Sequence, residues 1–281
     1  MKFDTSDSWA ILSSIELSIK RKIESAGTPL KDWGNISINY GIKTGYDKAF
    51  IISAEARKEI LNNCKDVEER KRTEEIIRPI LKGRDIKRYS YNWAGLYIIA
   101  TFPSRHYNID DYPAIKSHLL SFDKRVLAQS GEKEIDGITG KNARKKTNNK
   151  WFETQDSISY WDDFSKPKII YPETTQSARF AYDKTGLMLD KTCFMMIIEN
   201  PEYIMATLNS NLFEFAYKKI FSSVELGSSG YQYNKHALVK LPVMRLEKQK
   251  EEDAYTDEFF YHLYKLSEKE VSYIENQLKP V

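Results

Sequence analysis

Residues 140–153 bring together the two kinds of side chain that a nucleic-acid ligand requires. Lys141, Arg144, Lys145, Lys146 and Lys150 occur with no acid before Glu153, and Trp151, Phe152, Tyr160 and Trp161 follow. Cations neutralise phosphates and polar or aromatic side chains meet bases, so the block predicts contact with nucleic acid. Within it, Arg144, Lys145 and Lys146 suit phosphates or the O6 and N7 acceptors of guanine, whereas Asn148 and Asn149 suit N6 and N7 of adenine. A second basic block, 82–88, carries Lys82, Arg84, Lys87 and Arg88 against the single acid Asp85. Its competing reading is a structural turn in which Asp85 pairs with Arg84 or Arg88. A third block, 225–233, is rich in glycine and serine and flanked by aromatics. Glycines at 227 and 230 let the backbone around Ser228 and Ser229 approach a phosphate, with Tyr231 or Gln232 reaching a base; a plain flexible connection is the alternative.

Other motifs lose their chemistry when spacing is checked. Gly41 and Gly45 bracket Lys43 and Thr44 without the spacing of a nucleotide-cradling phosphate loop. They predict a tight turn between strands at 36–40 and 49–52, with Lys43 or Thr44 touching a DNA phosphate as the sharper option. Asn200-Pro201-Glu202-Tyr203 resembles the Asn-Pro-Pro-Tyr signature of adenine-specific DNA methyltransferases. Glu202 replaces the second proline and no glycine-rich cofactor loop lies upstream, so the segment reads as a helix start, with Asn200 as N-cap and Pro201 as first helical residue. Asp85, Lys87 and Glu173 do not form the carboxylate-and-lysine set with which a nuclease holds magnesium. His106, His118, His236 and His262 are dispersed beside no recognisable nucleophile. No catalytic residue and no metal site is expected; a nuclease with distant carboxylates, or a protein-interaction module built on the terminal helices, remain the readings from other classes.

The positioning elements follow from periodicity. Leu12, Ile15, Ile19 and Ile23, together with Trp9, recur at helical spacing, and Phe260, Leu263, Val271, Ile274 and Leu278 do so over 256–278, which predicts amphipathic helices at both ends of the chain. These helices pair with each other, with a larger assembly, or only with their own domain. Between them, apolar runs at 36–40, 49–52, 96–102, 168–171, 179–182 and 192–198 predict strands, and 238–243 a strand anchoring the glycine-serine loop. Helices are predicted over 54–62, 112–129 and 201–220. The irregular order predicts an α+β fold: a mixed or antiparallel sheet flanked by N- and C-terminal amphipathic helices. The expected division is an N-terminal helix at 1–30, a recognition domain at 31–245 and a C-terminal helix at 246–281.

Composition permits this without demanding it. A chain of 281 residues with 41% hydrophobic and 30% charged residues can bury a sizeable core. A net charge of +3 is too small to indicate nucleic acid, but residues 141–150 carry five cations and no acid, while 247–258 hold six acids and two lysines. Cys64 and Cys193 are far apart and lack neighbouring ligands, which fits a reducing cytoplasm. No membrane-spanning run of roughly 20 apolar residues occurs.

The blocks 41–50, 77–89, 140–153, 166–172 and 222–242, in this order and spacing, resemble the TaqI-like C-terminal specificity domain, and the similarity extends from about Trp9 to Pro242. That family forms the target-recognition part of restriction-modification enzymes and of adenine-specific DNA methyltransferases. The resemblance implies a module that binds double-stranded DNA and positions a methyltransferase or endonuclease domain or subunit, because an enzyme that flips adenine needs a partner to grip the duplex and select the site. It places 82–88 after a helix ending near Pro79. It also implies that S-adenosylmethionine belongs to the methyltransferase part and that this chain, in which those motifs do not precede the matching blocks, is a specificity fragment or a separate subunit.

Overall fold

The computed structural model describes residues 12–138, 142–221, 230–248, 250–251 and 254–279. Its organising feature is the strict alternation of side chains along two packed sheets. The first sheet orders β2 (Ser37–Tyr40), β10 (Cys193–Ile197), β6 (Lys168–Pro172) and β8 (Ala181–Asp183), every neighbour antiparallel. The second orders β3 (Ile51–Ile52), β5 (Tyr97–Ile99), β4 (Ile77–Leu81) and β9 (Met188–Leu189), with β4 and β9 parallel. In β6, Ile169 and Tyr171 face one core and Ile170 the other, and in β10 Met196 and Met195 divide in the same way. Ile170 and Met195 therefore meet Ile80, Ile98 and Leu189 of the second sheet. Burying each such aliphatic side chain stabilises the fold by about 1.5–3 kcal/mol.

A helical layer covers each outer face. Over the first sheet lie α1 (Ser14–Ala26), α7 (Pro201–Asn209), α8 (Asn211–Ala216), α10 (Asp257–Leu263) and α11 (Glu268–Leu278), which bury Ile19, Ile23, Leu208, Phe213, Phe260 and Ile274 in one core. Over the second lie α2 (Asp47–Phe50), α3 (Ala54–Asn62) and α5 (Pro113–Leu120), with Phe50, Ile60, Ile115 and Leu119 against Ile52, Ile77 and Ile99. The result is helix, sheet, sheet, helix: an α+β fold with one antiparallel and one mixed sheet. Among the described residues no helix is long and apolar enough to cross a membrane.

Several expectations change in detail. The pair 36–40 and 49–52 is not a hairpin: β2 and β3 belong to different sheets. Gly41 crosses the Asp190 backbone so closely that a Cβ there would sit 1.9 Å from its carbonyl oxygen, and Ala49 and Phe50 close α2 rather than opening a strand. The predicted helix 112–129 divides into α5 and α6 (Lys124–Leu127), because the Asp123 side chain caps the Arg125 amide. Residues 201–220 break at Ser210, whose hydroxyl accepts from the Phe213 amide and starts α8. Residues 256–278 break at Lys265, whose φ is +52°. Leu238 ends α9 (Lys235–Leu238), so the expected anchoring strand shrinks to β12 (Pro242–Val243), paired with β1 (Thr28–Pro29). The helix before block 82–88 is α4 (Val67–Ile76), and Pro79 lies inside β4. Asn200 stands at the N-cap position with φ +58° and no side-chain cap, while Pro201 opens α7 as expected. Trp9 lies outside the described residues.

Candidate nucleic-acid interface

The basic block is held by one of its own arginines. Arg144 is 3% exposed, and its guanidinium donates to the carbonyls of Leu127 (3.2 Å), Trp151 (3.1 Å) and Glu153. It lies 5.0 Å from the centroid of the Phe50 ring. Burial lowers its pKa to about 10, opposed by the charge of Glu153, so it stays protonated at neutral pH. The predicted phosphate or guanine contact at Arg144 is therefore replaced by a structural role, because its hydrogen-bonding Nη atoms are directed at loop carbonyls. Asn149 is similarly turned inward, its Nδ2 donating to the carbonyls of Thr154 (3.3 Å) and Gln155 (2.9 Å). Thr44 is fully buried and donates to Asp47 Oδ1, which removes it from any phosphate.

What these inward residues support is a set of outward ones. Lys145, Lys146, Asn148 and Lys150 are exposed on the same segment, and Lys43 is exposed on the neighbouring one. The Lys43 carbonyl accepts from the Gln155 amide at 3.1 Å, which seats the basic block on the segment 41–47. Burial raises the Asp156 carboxyl above its ordinary value against the charges of Lys43 and Lys145, so both ammonium groups act on one acid. Lys141 lies outside the described residues.

Beyond segment 41–47, a cleft of about 670 Å³ collects side chains from distant parts of the chain. Lys82 and Arg84 enter on the 3-10 turn Gly83–Asp85, Arg179 from the approach to β8, and Lys191 from the turn between β9 and β10. The turn is seated by the Gly83 amide donating to Thr192 Oγ1 at 2.9 Å, and it leaves the Arg84 side chain 73% exposed with Asp85 at 3.7 Å. Lys191 meets Asp47 at 3.2 Å, joining the cleft to the segment that carries the basic block. Four cations converging on one groove raise the local concentration of a polyanion and speed its capture.

The described part of the third block lies beside the cleft, against the β7 strand that lines it. β11 (Tyr231–Gln232) pairs antiparallel with β7 (Thr174–Thr175), and Gln232 Nε2 donates to Glu173 Oε1 at 2.7 Å. Lys218 lies 4.9 Å from the Tyr231 ring centroid. Gly230 has φ +100°, and a Cβ there would meet the Thr175 carbonyl oxygen at 2.4 Å, so the close pairing requires glycine. Ser228 and Ser229 lie outside the described residues. The cleft thus places Arg84 and Glu173 on one lining, with Gln232 attached behind it through Glu173. It does not take in Lys87, or Arg88, which instead meets Asp257 of α10 at 3.5 Å. Sequence reasoning missed Arg179 and Lys191: each sits in or beside an apolar strand run, and only the folded topology brings them opposite Arg84. Trp161 stacks beneath the Arg105 guanidinium at 4.0 Å, and Tyr160 donates to the Tyr40 carbonyl at 3.0 Å.

Known proteins resemble this chain in sequence and in fold. The family model of the TaqI-like C-terminal specificity domain matches residues 78–243. The type II methyltransferase M.PaeR7I of Pseudomonas aeruginosa is 25% identical over 177 residues, which are 62% of this chain and 26% of that protein. This chain therefore matches about a quarter of the length of that relative. Among solved structures, the type IIG restriction endonuclease BpuSI aligns with 89% of this chain and 28% of its own at a TM-score of 0.51 and 14% identity, a likeness of fold. The type IIL restriction-modification enzyme MmeI in complex with DNA aligns with 90% of this chain and 34% of its own, at a TM-score of 0.45 and 13% identity.

Proposed function

The chain belongs to the TaqI-like C-terminal specificity domain family, and on that premise we propose that it is the double-stranded DNA target-recognition module of a restriction-modification system. The observation that carries this reading is the cleft in which Lys82, Arg84, Arg179 and Lys191 converge from separate elements on a two-sheet scaffold. Cations at the rim hold the phosphates of a duplex and set its register, and polar side chains of the wall face base edges. Lys43, Lys145, Lys146, Asn148 and Lys150 extend the contact along the backbone. Lys87 and Arg88 stand further off, and Lys141, Ser228 and Ser229 complete the set of proposed contacts.

The reaction itself belongs, in this reading, to a methyltransferase or endonuclease part, and S-adenosylmethionine to the methyltransferase. The module contributes selection: it fixes the duplex while its partner takes a base out of the stack. Arg84→Ala and Arg179→Ala test the cleft directly. Each substitution lowers the slope of log affinity against log salt for a duplex by about 0.9, the effect of one lost phosphate contact. Equal slopes in the wild type and the double variant would remove the cleft from the interface.

A further inference from the structure

Three carboxylates line the cleft, and each one left unneutralised repels the phosphates that the cations attract. Asp47 is matched by Lys191 at 3.2 Å. Asp190 is 4% exposed and accepts from both the amide and the hydroxyl of Thr192. Glu173 forms no ion pair among the described residues; its side chain accepts from Gln232 Nε2 at 2.7 Å. An ionised carboxylate has no hydrogen to donate, so this contact fixes the amide with its nitrogen toward Glu173 and its carbonyl oxygen away.

Among the described residues Glu173 takes one hydrogen of the Gln232 amide, and what remains is one N–H beside one C=O, a donor and an acceptor in a single plane. That is the complement of the major-groove edge of adenine, where the N6 amino group donates and N7 accepts. Guanine presents two acceptors at that edge and would leave the Gln232 carbonyl facing a lone pair. The backbone holds both partners in place. The main-chain carbonyl of Gln232 accepts from the Tyr217 hydroxyl at 2.7 Å, the Tyr233 amide donates to the main-chain carbonyl of Glu173 at 2.8 Å, and the Glu173 amide donates to the Thr192 carbonyl at 2.9 Å. A side chain preset in this way loses little freedom on binding.

We infer that Gln232, locked in one orientation by Glu173, reads a stacked adenine through its major-groove edge. The inference rests on the cleft being the duplex-binding surface. Gln232 is the contacting residue and Glu173 a positioning residue. The test is selection from random duplexes by the full chain, comparing wild type with Gln232→Ala and Glu173→Gln. The wild type is expected to select a site in which one A·T pair loses its preference by about 5- to 150-fold in Gln232→Ala, the range for one bidentate base contact. Glu173→Gln is expected to relax the same pair, because a second amide can donate as well as accept and no longer dictates the orientation. Retained preference at the other positions shows that both variants are folded. Relaxation at a G·C pair, at no pair, or a uniform loss over all sequences would overturn the adenine assignment and leave the recognition module standing. A wild-type chain that selects no sequence would overturn the module and the assignment together.

Discussion

Arg144 and Lys145 are adjacent and both cationic, yet the fold gives them opposite work. Arg144→Ala would strip hydrogen bonds from the carbonyls of Leu127, Trp151 and Glu153 and leave a void against Phe50. Its expected cost is about 3 kcal/mol, read from the midpoint of denaturant unfolding. Lys145→Ala and Lys146→Ala are expected to change stability by less than about 0.5 kcal/mol and to lower the salt slope of duplex binding by about 0.9 each. The reverse pattern, with stable Arg144→Ala and unchanged salt dependence in the lysine variants, would show that the block does not contact the backbone. The sequence made the block visible through its composition. Which arginine turns inward was not legible, because the groups that capture it lie at positions 50, 127, 151 and 153 and carry no mark of their purpose. The same holds for Thr44, whose partner Asp47 is near in sequence but whose burial is set by the fold around it.

At the scale of elements, α1 and α11 clasp each other through two carboxylates, Glu270 of α11 and Glu16 of α1. Glu270 accepts from Ser18 Oγ at 2.7 Å and from Lys22 Nζ at 2.6 Å, and Tyr273 donates to Glu16 at 3.2 Å. Burial alone would raise the Glu270 pKa, but hydrogen bonds from Lys22, Ser267 and Ser18 outweigh it and bring it down from 4.5 to about 2. A carboxyl with a folded value below its unfolded one stabilises the fold at pH above the unfolded value. That contribution is present above about pH 4.5 and is lost as pH falls toward 2. The protection factors of the α1 amides are therefore expected to fall over this window ahead of those of the central strands, and Glu270→Gln to flatten the dependence. A wild-type profile identical to that of Glu270→Gln would contradict the clasp. Both terminal helices were legible because their apolar residues recur at helical spacing. Helix α4, Val67–Ile76, was not: it is dense in Glu, Lys and Arg, and its start is set by Asp66 capping the Glu69 amide rather than by an apolar stripe. The breaks at Ser210 and Lys265 likewise depend on capping and backbone conformation that periodicity does not register.

The whole molecule explains how a chain of net charge +3 can present the cluster of cations proposed as its duplex-binding site. Charge is not abundant but gathered, and the gathering is done by two sheets whose connecting turns deliver Lys82, Arg84, Arg179 and Lys191 to one cleft while the acids of 247–258 lie in and before α10. The α+β class follows from strand and helix patterns that succeed one another without regular alternation. The division into two stacked sheets does not, since runs such as 168–171 are apolar on both faces and show burial without showing partners. Amide hydrogen exchange of the full chain, with and without a duplex bearing its selected site, tests the central claim most directly. Protection is predicted at the amides of residues 82–85, 173–176 and 190–192, which border the cleft. Protection confined to α1 and α11, or none anywhere while the duplex is bound, would contradict it.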